Sequence, residues 1–316
     1  MTVVWWVVAV LVAAFTVVRV SGIERGTPLV QLMAFTPYVA GGALVAAVAA
    51  AFTSIPAALV TGAAGLALTA VVIPRVVPKR AAGPGGQRLR VMTANVLWER
   101  GDMAALLQLA KTDDVDVLAL QEANTSDLEA FDRAGADGLL PFRALHPAPR
   151  GRGTAVFSRH PLDGEPMVRV CPSGIQQVRA TVLVPGAGPL VVESAHPCAP
   201  HPGGKTSCWA RDLADQPGAG DGPLRVLLGD FNATLDHAPL RRLLRRGGYR
   251  DAAAERGRGL VPTWPYALVP GLLRLFAVTL DHVLVDRRIG VREVAVRPVP
   301  GSDHRAVVAE LALPQR

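Results

Sequence analysis

From residue 88 onward, apolar strand-like runs repeatedly end in a polar side chain, and few folds tolerate that pattern. Residues 88–95 (RLRVMTAN) alternate and then deliver Asn95, and residues 115–122 (VDVLALQE) form a largely apolar run that delivers Glu122. Residues 190–196 (LVVESAH) deliver His196, and the mostly apolar run 224–228 leads into Gly229, Asp230, Phe231 and Asn232. Residues 280–285 open with Asp281 and His282, and GSDH at 301–304 precedes a last run, 306–311. Runs of this length and composition have strand character. Side chains two apart on an extended segment project to the same side, so Asp230 and Asn232 can face one phosphate or one attacking water while Phe231 turns into the core. An Asx turn that satisfies backbone donors is the other reading of that pair.

In order and density these motifs resemble the endonuclease/exonuclease/phosphatase superfamily, which includes DNase I-like nucleases, abasic-site endonucleases, inositol-polyphosphate phosphatases and neutral sphingomyelinases. The resemblance runs through TANV at 93–96, LQE at 120–122, GTAVFSR at 153–159, SAHP at 194–197, GDFNAT at 229–234, Thr263 and Trp264, LDHVLV at 280–285 and GSDH at 301–304. It implies a four-layer α/β sandwich, two mixed sheets face to face with helices outside, and a site where strand-end loops converge at one edge.

Phosphate-ester hydrolysis requires neutralised phosphate oxygens, an activated water and a stabilised leaving oxygen. Glu122 is the expected ligand of a magnesium ion, with manganese as the substitute, and Asn95 and Asp303 complete its shell. Magnesium keeps several waters, so one or two carboxylates suffice. Asp230 accepts from or orients the water, Asn232 donates to a phosphate oxygen, and His196 and His304 bracket the phosphate, with Asp281 as the partner of His304. The resemblance assigns the same duties to these positions. Arg179, in the run 177–184, is a candidate phosphate contact, a salt-bridged strand arginine being the equal alternative. Thr263 and Trp264 are expected at the pocket mouth. His146, His160, His201 and His282 read as structural or solvent-facing, Asp236 as the N-cap of a helix over 239–246, and Arg241, Arg242, Arg245 and Arg246 as a solvated helix end.

Hydrophobic residues make up 50% of the 316, high for a soluble enzyme, and the excess lies before residue 78. Residues 3–18 are apolar apart from Thr16, 29–52 nearly so, and 55–73 lack charge, which predicts three transmembrane helices, the first short against the ~20 residues a span needs. Gly41, Gly42, Gly62 and Gly65 suit close helix packing. The expected organisation is a membrane anchor over 1–77, a flexible linker over 78–87 (PKRAAGPGGQ) and a catalytic domain over 88–316.

Orientation is contested within the sequence. Arg19, Arg25, Arg75, Lys79 and Arg80 place the enzyme on the cytoplasmic side by the positive-inside rule. Cys198 and Cys208 bracket a Pro/Gly-rich loop whose length suits a disulfide in an oxidising compartment, a zinc knuckle with His201 being the weaker reading. Cys171 is a leftover thiol. The three-span arrangement and GDFNATLDHAP at 229–239 also resemble membrane-anchored actinobacterial members of the superfamily, some called teicoplanin-resistance proteins, which favours an extracytoplasmic domain. The formal charge of +7 suits an anionic membrane or a phosphate substrate. Without a long basic insertion interleaved with aromatics, nucleic acid is the less favoured substrate. The apolar segment 269–278 (VPGLLRLFAV), with Arg274, is either a rim that rests on lipid or an ordinary buried hairpin. The expected substrate is a lipid-linked phosphate or pyrophosphate. An anchored nuclease or sphingomyelinase-like phosphodiesterase, and a non-catalytic phosphate-ligand sensor, are the alternatives.

Overall fold

Residues 2–81, 85–201, 206–266 and 276–315 are described by the structure, a computed structural model. The strand-like runs assemble into two six-stranded mixed sheets. The first has the order β11 (Gly290–Pro298), β12 (Arg305–Leu313), β1 (Gln87–Asn95), β2 (Val117–Gln121), β4 (Thr154–Ser158), β3 (Phe142–His146). The second has the order β5 (Met167–Val170), β6 (Gln176–Val184), β7 (Gly188–Ala195), β8 (Leu224–Asp230), β10 (Asp281–Asp286), β9 (Tyr249–Asp251). Each sheet has one central parallel pair, β1 with β2 and β7 with β8, and its other pairings are antiparallel.

Period-two alternation builds the layers. On β1, Leu89 and Val91 point between the sheets, where they join Val156, Val192, Val226, Leu228 and Val283 in one buried cluster. Met92 and Ala94, on the opposite face, pack with Leu106 and Leu107 of α5 (Met103–Thr112) and Leu128 and Phe131 of α6 (Thr125–Arg133). Outside the second sheet, Leu227, Phe231 and Leu284 pack with Trp209 and Leu213 of α7 (Thr206–Asp215) and Leu240 and Leu243 of α8 (Ala238–Gly247). Each such aliphatic side chain contributes roughly 1.5–3 kcal/mol by leaving water. A short helix, α9 (Ala252–Glu255), follows β9. The expected four layers are therefore present.

Ahead of this domain lie α1 (Thr2–Ser21), α2 (Leu29–Met33), α3 (Thr36–Ala51) and α4 (Ile55–Val72), the last prolonged by a 3-10 turn to Arg75. The expectation of three transmembrane helices, the first of them short, is corrected to two helices long and apolar enough to cross a membrane, Thr2–Ser21 and Ile55–Arg75, and the short one is the middle helix. The middle run breaks at Ala34 and Phe35, because α2 leaves it for the catalytic domain: Val30 joins the core beneath α7 and α8, and Gln31 Nε2 donates to the Pro200 carbonyl. What remains, α3, has 16 residues. At 1.5 Å per residue it reaches about 24 Å, short of a ~30 Å hydrocarbon core. α3 packs along α4, where a Cβ on Gly65 would meet the Ala43 Cβ at 3.1 Å, so glycine there permits close approach. Gly41 and Gly42 face open space and play no such part. Val3, Val7, Val10 and Leu11 of α1 are exposed. In the segment expected as a linker, the Lys79 backbone N–H donates to the Glu255 carbonyl and its ammonium pairs with the Glu255 carboxylate at 2.5 Å. Residues 82–84 lie outside the described residues.

Candidate active site

The two parallel pairs end at the same edge of the sandwich, which explains how residues far apart in the chain meet. Asn95 closes β1 and Glu122 follows β2; His196 follows β7 and Asp230 closes β8. Asp281, the first residue of antiparallel β10, lies directly opposite Asp230, and His304 immediately precedes β12. Beneath this edge the Thr93 hydroxyl donates to Gln121 Oε1, Gln121 Nε2 donates to Ser194 Oγ, and Ser194 Oγ donates to the Leu120 carbonyl. A buried polar ladder so joins the two sheets at a fixed spacing below the site.

Asn95 Nδ2 donates to Glu122 Oε1 at 2.9 Å and to Asp230 Oδ2 at 3.1 Å. His196 Nε2 is 3.8 Å from Glu122 Oε1 and 3.9 Å from Asp230 Oδ2. His304 Nδ1 is 2.9 Å from Asp281 Oδ2, and its Nε2 lies 3.7 Å from Asp230 Oδ2 and 3.9 Å from Asp303 Oδ1. The Asp281 backbone N–H donates to Thr263 Oγ1, as does that of Leu280, and the Ser302 hydroxyl donates to the Asn95 carbonyl. Asn232 donates its backbone N–H to Asp230 Oδ1 at 2.8 Å and one amide hydrogen to the Pro197 carbonyl, which leaves the other for a ligand. Glu122 and Asn232 have φ of +61° and +50°. Left-handed backbone at non-glycine residues costs roughly 1–3 kcal/mol and collects at functional sites.

Burial raises the Asp230 carboxyl, and the charge on Asp281 adds to this, against the opposing pull of His304 and His196. For His304 burial pushes the other way, towards neutrality, yet Asp281, Asp230 and Asp303 together outweigh it and lift the imidazole to about 10. His304 is therefore an imidazolium at neutral pH, with Nδ1 committed to Asp281 and Nε2 facing the cluster.

Glu122, His196 and Asp230 offer ligand atoms within 4.8 Å of one another, as do Asp230, Asp281 and His304. A histidine must be neutral to ligate, so the charged His304 makes the second set the poorer one. The set at Glu122, two carboxylates and a histidine, fits a hard divalent cation. Outside that set, Asp281 Oδ1 and Asp303 Oδ1 are buried acceptors without a hydrogen-bond partner among the described residues.

The pattern of the Endonuclease/Exonuclease/phosphatase family matches residues 92–304, more than half of the chain. The chain belongs to that family. Its fold is similar to that of an endonuclease/exonuclease/phosphatase from Beutenbergia cavernae DSM 12333, with 22% identity and a TM-score of 0.58 over 72% of each chain. It is similar also to truncated Caenorhabditis elegans TDP2, with 17% identity and a TM-score of 0.55 over 72% of this chain and 98% of that one. SmcL matches with 16% identity and a TM-score of 0.53 over 71% of this chain and 99% of that one. No curated protein matches the chain. Members of this family are typically metal-dependent phosphoester hydrolases.

Against these family positions, several expectations are corrected by the geometry. The Leu97 backbone N–H donates to Asn95 Oδ1, and Asn95 turns its N–H groups to the Glu122 and Asp230 carboxylates and orients them. Asp303 accepts from Trp264 Nε1 at 3.0 Å and lies beside His304, outside the Glu122 set. Arg179 is not at the site: it pairs in register with Glu193 on β7 and its Nη2 lies against the Met167 sulfur of edge strand β5. Trp264 is 37% exposed, with its ring 6.4 Å from that of His304. Asp236 caps no helix; His237 precedes α8, and the Asp236 carboxylate is taken by Arg19 and Arg75. Arg242, Arg245 and Arg246 are exposed as expected, but Arg241 is half-buried, and Arg241 and Arg242 donate to the Arg19 and Gly22 carbonyls. His282 is buried between Asp251 and the Ala233 carbonyl, a structural role. Cys198 and Cys208 form a disulfide, and Cys171 is free and buried. Of the segment 269–278, residues up to 275 lie outside the described residues.

The sequence reading missed the supporting hydroxyls. Thr263, expected at the pocket mouth, is instead fully buried and holds the start of β10, and Ser302, not singled out, bonds the end of β1. Their only local signal is a small hydroxyl residue inside a motif that also carries a catalytic candidate.

Proposed function

We propose that the chain is a membrane-anchored, divalent-metal-dependent phosphohydrolase that cuts a phosphoester or pyrophosphate bond of a lipid-linked substrate at the membrane surface. The observation that carries this reading is the position of the site's edge. Its loops are the ones that meet the domain-side ends of the apolar helices: Asp236 binds Arg19 and Arg75, and the Ala277 carbonyl accepts from the Tyr38 hydroxyl at the start of α3. A cavity of about 260 Å³ lies at this junction, walled by Pro37 and Tyr38 on one side and by Thr234, Ala277, Val278 and Thr279 on the other.

Glu122 would hold magnesium or manganese beside the Asp230 carboxylate, and the ion would supply positive charge to the phosphate oxygens. Around that position the side chains divide the remaining work. Asp230, pushed towards a higher pKa by burial, is suited to take a proton from an attacking water. Asn232 has one free amide hydrogen for a non-bridging oxygen. His304 presents a charged Nε2–H to the developing negative charge, and Asp281 fixes its orientation through Nδ1. His196, with Nε2 towards Glu122 and Asp230, donates from the other side. The disulfide Cys198–Cys208 supports an extracytoplasmic catalytic domain.

The test is release of phosphate or phosphorylated headgroup from a panel of lipid-linked pyrophosphates, sphingomyelin, phosphoinositides and plasmid DNA, with magnesium and with chelator. Chelator-sensitive turnover of a lipid-linked substrate is the expected result. Cutting of DNA without lipid turnover would move the protein to the nucleases, and binding without turnover would make it a sensor.

A further inference from the structure

The anchor's contact with the catalytic domain is a buried charge cluster centred on one carboxylate. Arg75, just past α4, grips Asp236 with both terminal nitrogens, Nη1 to Oδ2 and Nη2 to Oδ1, each at 2.7 Å. Arg19, near the end of α1, adds Nε to Oδ1 at 2.8 Å. Asp236, Arg19 and Arg75 are 1%, 4% and 6% exposed, so the groups have left water and compensate one another. The loop between α1 and α2 adds further bonds to the same turn. Glu24 Oε1 accepts from the Ala238 backbone N–H at the start of α8, and Arg242 Nη2 donates to the Gly22 carbonyl at 2.7 Å.

The turn so held begins in the active site. Residues 230–237 carry Asp230 and Asn232 at one end and Asp236 and His237 at the other. Inside the turn the Thr234 backbone N–H donates to His237 Nδ1, which makes Nδ1 the acceptor and leaves Nε2–H to donate to the Val30 carbonyl at 2.9 Å in α2. Gln31 then reaches the loop after His196, at the Pro200 carbonyl. Both loops that bring Asn232 and His196 to the cluster are therefore bonded to the anchor. A passive tether needs none of these bonds.

We infer that Asp236 is a positioning residue through which Arg19 and Arg75 make the membrane anchor part of the active centre, holding the 230–237 turn in its reactive shape. Only the turnover arm of its test rests on the phosphohydrolase reading above.

A protease site placed at residues 82–84 of the full-length chain in detergent allows the covalent link to be cut in the intact protein. After cutting, the catalytic domain should co-elute with the anchor, and Asp236→Ala should release it. Separation of the wild-type halves in 0.1 M salt would overturn the inference. Amide exchange across 231–238 in the uncut chain should rise at least tenfold in Asp236→Ala and in Arg75→Ala, and Arg75→Lys should restore part of the protection. Unchanged exchange would also overturn it. With farnesyl pyrophosphate as probe, Asp236→Ala should lower kcat at least tenfold while KM stays within threefold, because Asp236 touches no substrate. Loss confined to KM would refute positioning. If wild type turns over nothing in the panel, the phosphohydrolase reading fails while co-elution and exchange still decide on the clamp.

Discussion

Replacing Asp281 by Asn removes the charge that holds His304 protonated while it keeps the side chain's size and its backbone anchorage on Thr263. In the wild type the imidazole is raised to about 10 although burial alone would lower it, and Asp281 is the largest raising influence. A hydrogen bond to a charged partner contributes about 1.5–3 kcal/mol. At 1.36 kcal/mol per pK unit this lowers the histidine to about 8–9 in the variant. Near pH 9.5 the charged fraction of His304 then drops about tenfold, and turnover that depends on an imidazolium donor drops with it. The stability consequence has a definite sign. A folded pKa above the ordinary 6.5 means that the pairing stabilises the fold fully below about pH 6.5 and loses this contribution as pH rises through about 10. Asp281→Asn should therefore flatten the alkaline fall of the melting temperature. The direct assay is NMR titration of the His304 ring in the chelator-treated full-length protein, assigned by a His304→Gln control. A wild-type ring titrating near 6.5, or a variant ring still titrating near 10, would refute the reasoning.

Glu122→Gln should cut magnesium-dependent turnover at least a hundredfold, since a ligating carboxylate carries several kcal/mol of charge stabilisation, while thermal unfolding shifts by less than about 1 kcal/mol; wild-type turnover would remove Glu122 from the site. Asp236 has a lowered carboxyl pKa, burial being overcome by Arg75 and Arg19, so its stabilisation is present above the ordinary 3.8 and lost as pH falls through its lower folded value. Melting curves of the full chain below pH 4 should accordingly fall more steeply than those of Asp236→Asn. Reduction of Cys198–Cys208, which closes a loop of sequence separation 10, should cost about 3 kcal/mol in the loop-entropy picture, read as a lower melting temperature. A membrane-impermeant thiol reagent on whole cells should label both cysteines only after reduction, and labelling confined to lysed cells would put the domain in the cytoplasm. Leu228→Ala, in the layer between the sheets, should cost about 2–5 kcal/mol with the active-site titrations unchanged.

The catalytic half was legible because its signals are local. A strand that ends in Asn95 or Asp230 announces itself through period-two alternation and one terminal polar residue, and the pairing of two parallel β-strands then brings such ends to one edge without further information. Roles were less legible than positions. Asn95, Glu122, Asp230, Asn232, Asp281, His196 and His304 converge as expected, yet the part Asn95 plays depends on a single bond from the Leu97 backbone, which no spacing rule reveals. Arg179 shows the reverse error. It sits in a good strand at a plausible distance from SAHP, but β6 lies one strand away from the parallel pair that forms the edge, and its side chain is spent on the outer strands.

The anchor was misread for a related reason. Apolar composition reports that a segment avoids water, not whether lipid or protein replaces it, so 29–52 looked like one span although its first turn belongs to the domain's core. Arg19 and Arg75 looked like loop charges that record membrane orientation, and Asp236 looked like a helix cap, because each has an ordinary local explanation. Their bonds close over 217 and 161 residues. The cost of burying a charge is set by partners that exist only in the assembled fold, so no window of sequence contains it. That cost also argues for function. Replacing a buried ion cluster by apolar side chains of similar volume is often neutral or stabilising, so stability alone does not explain why two arginines from separate helices converge on one aspartate four residues from Asn232. A requirement for one fixed geometry of the 230–237 turn does explain it.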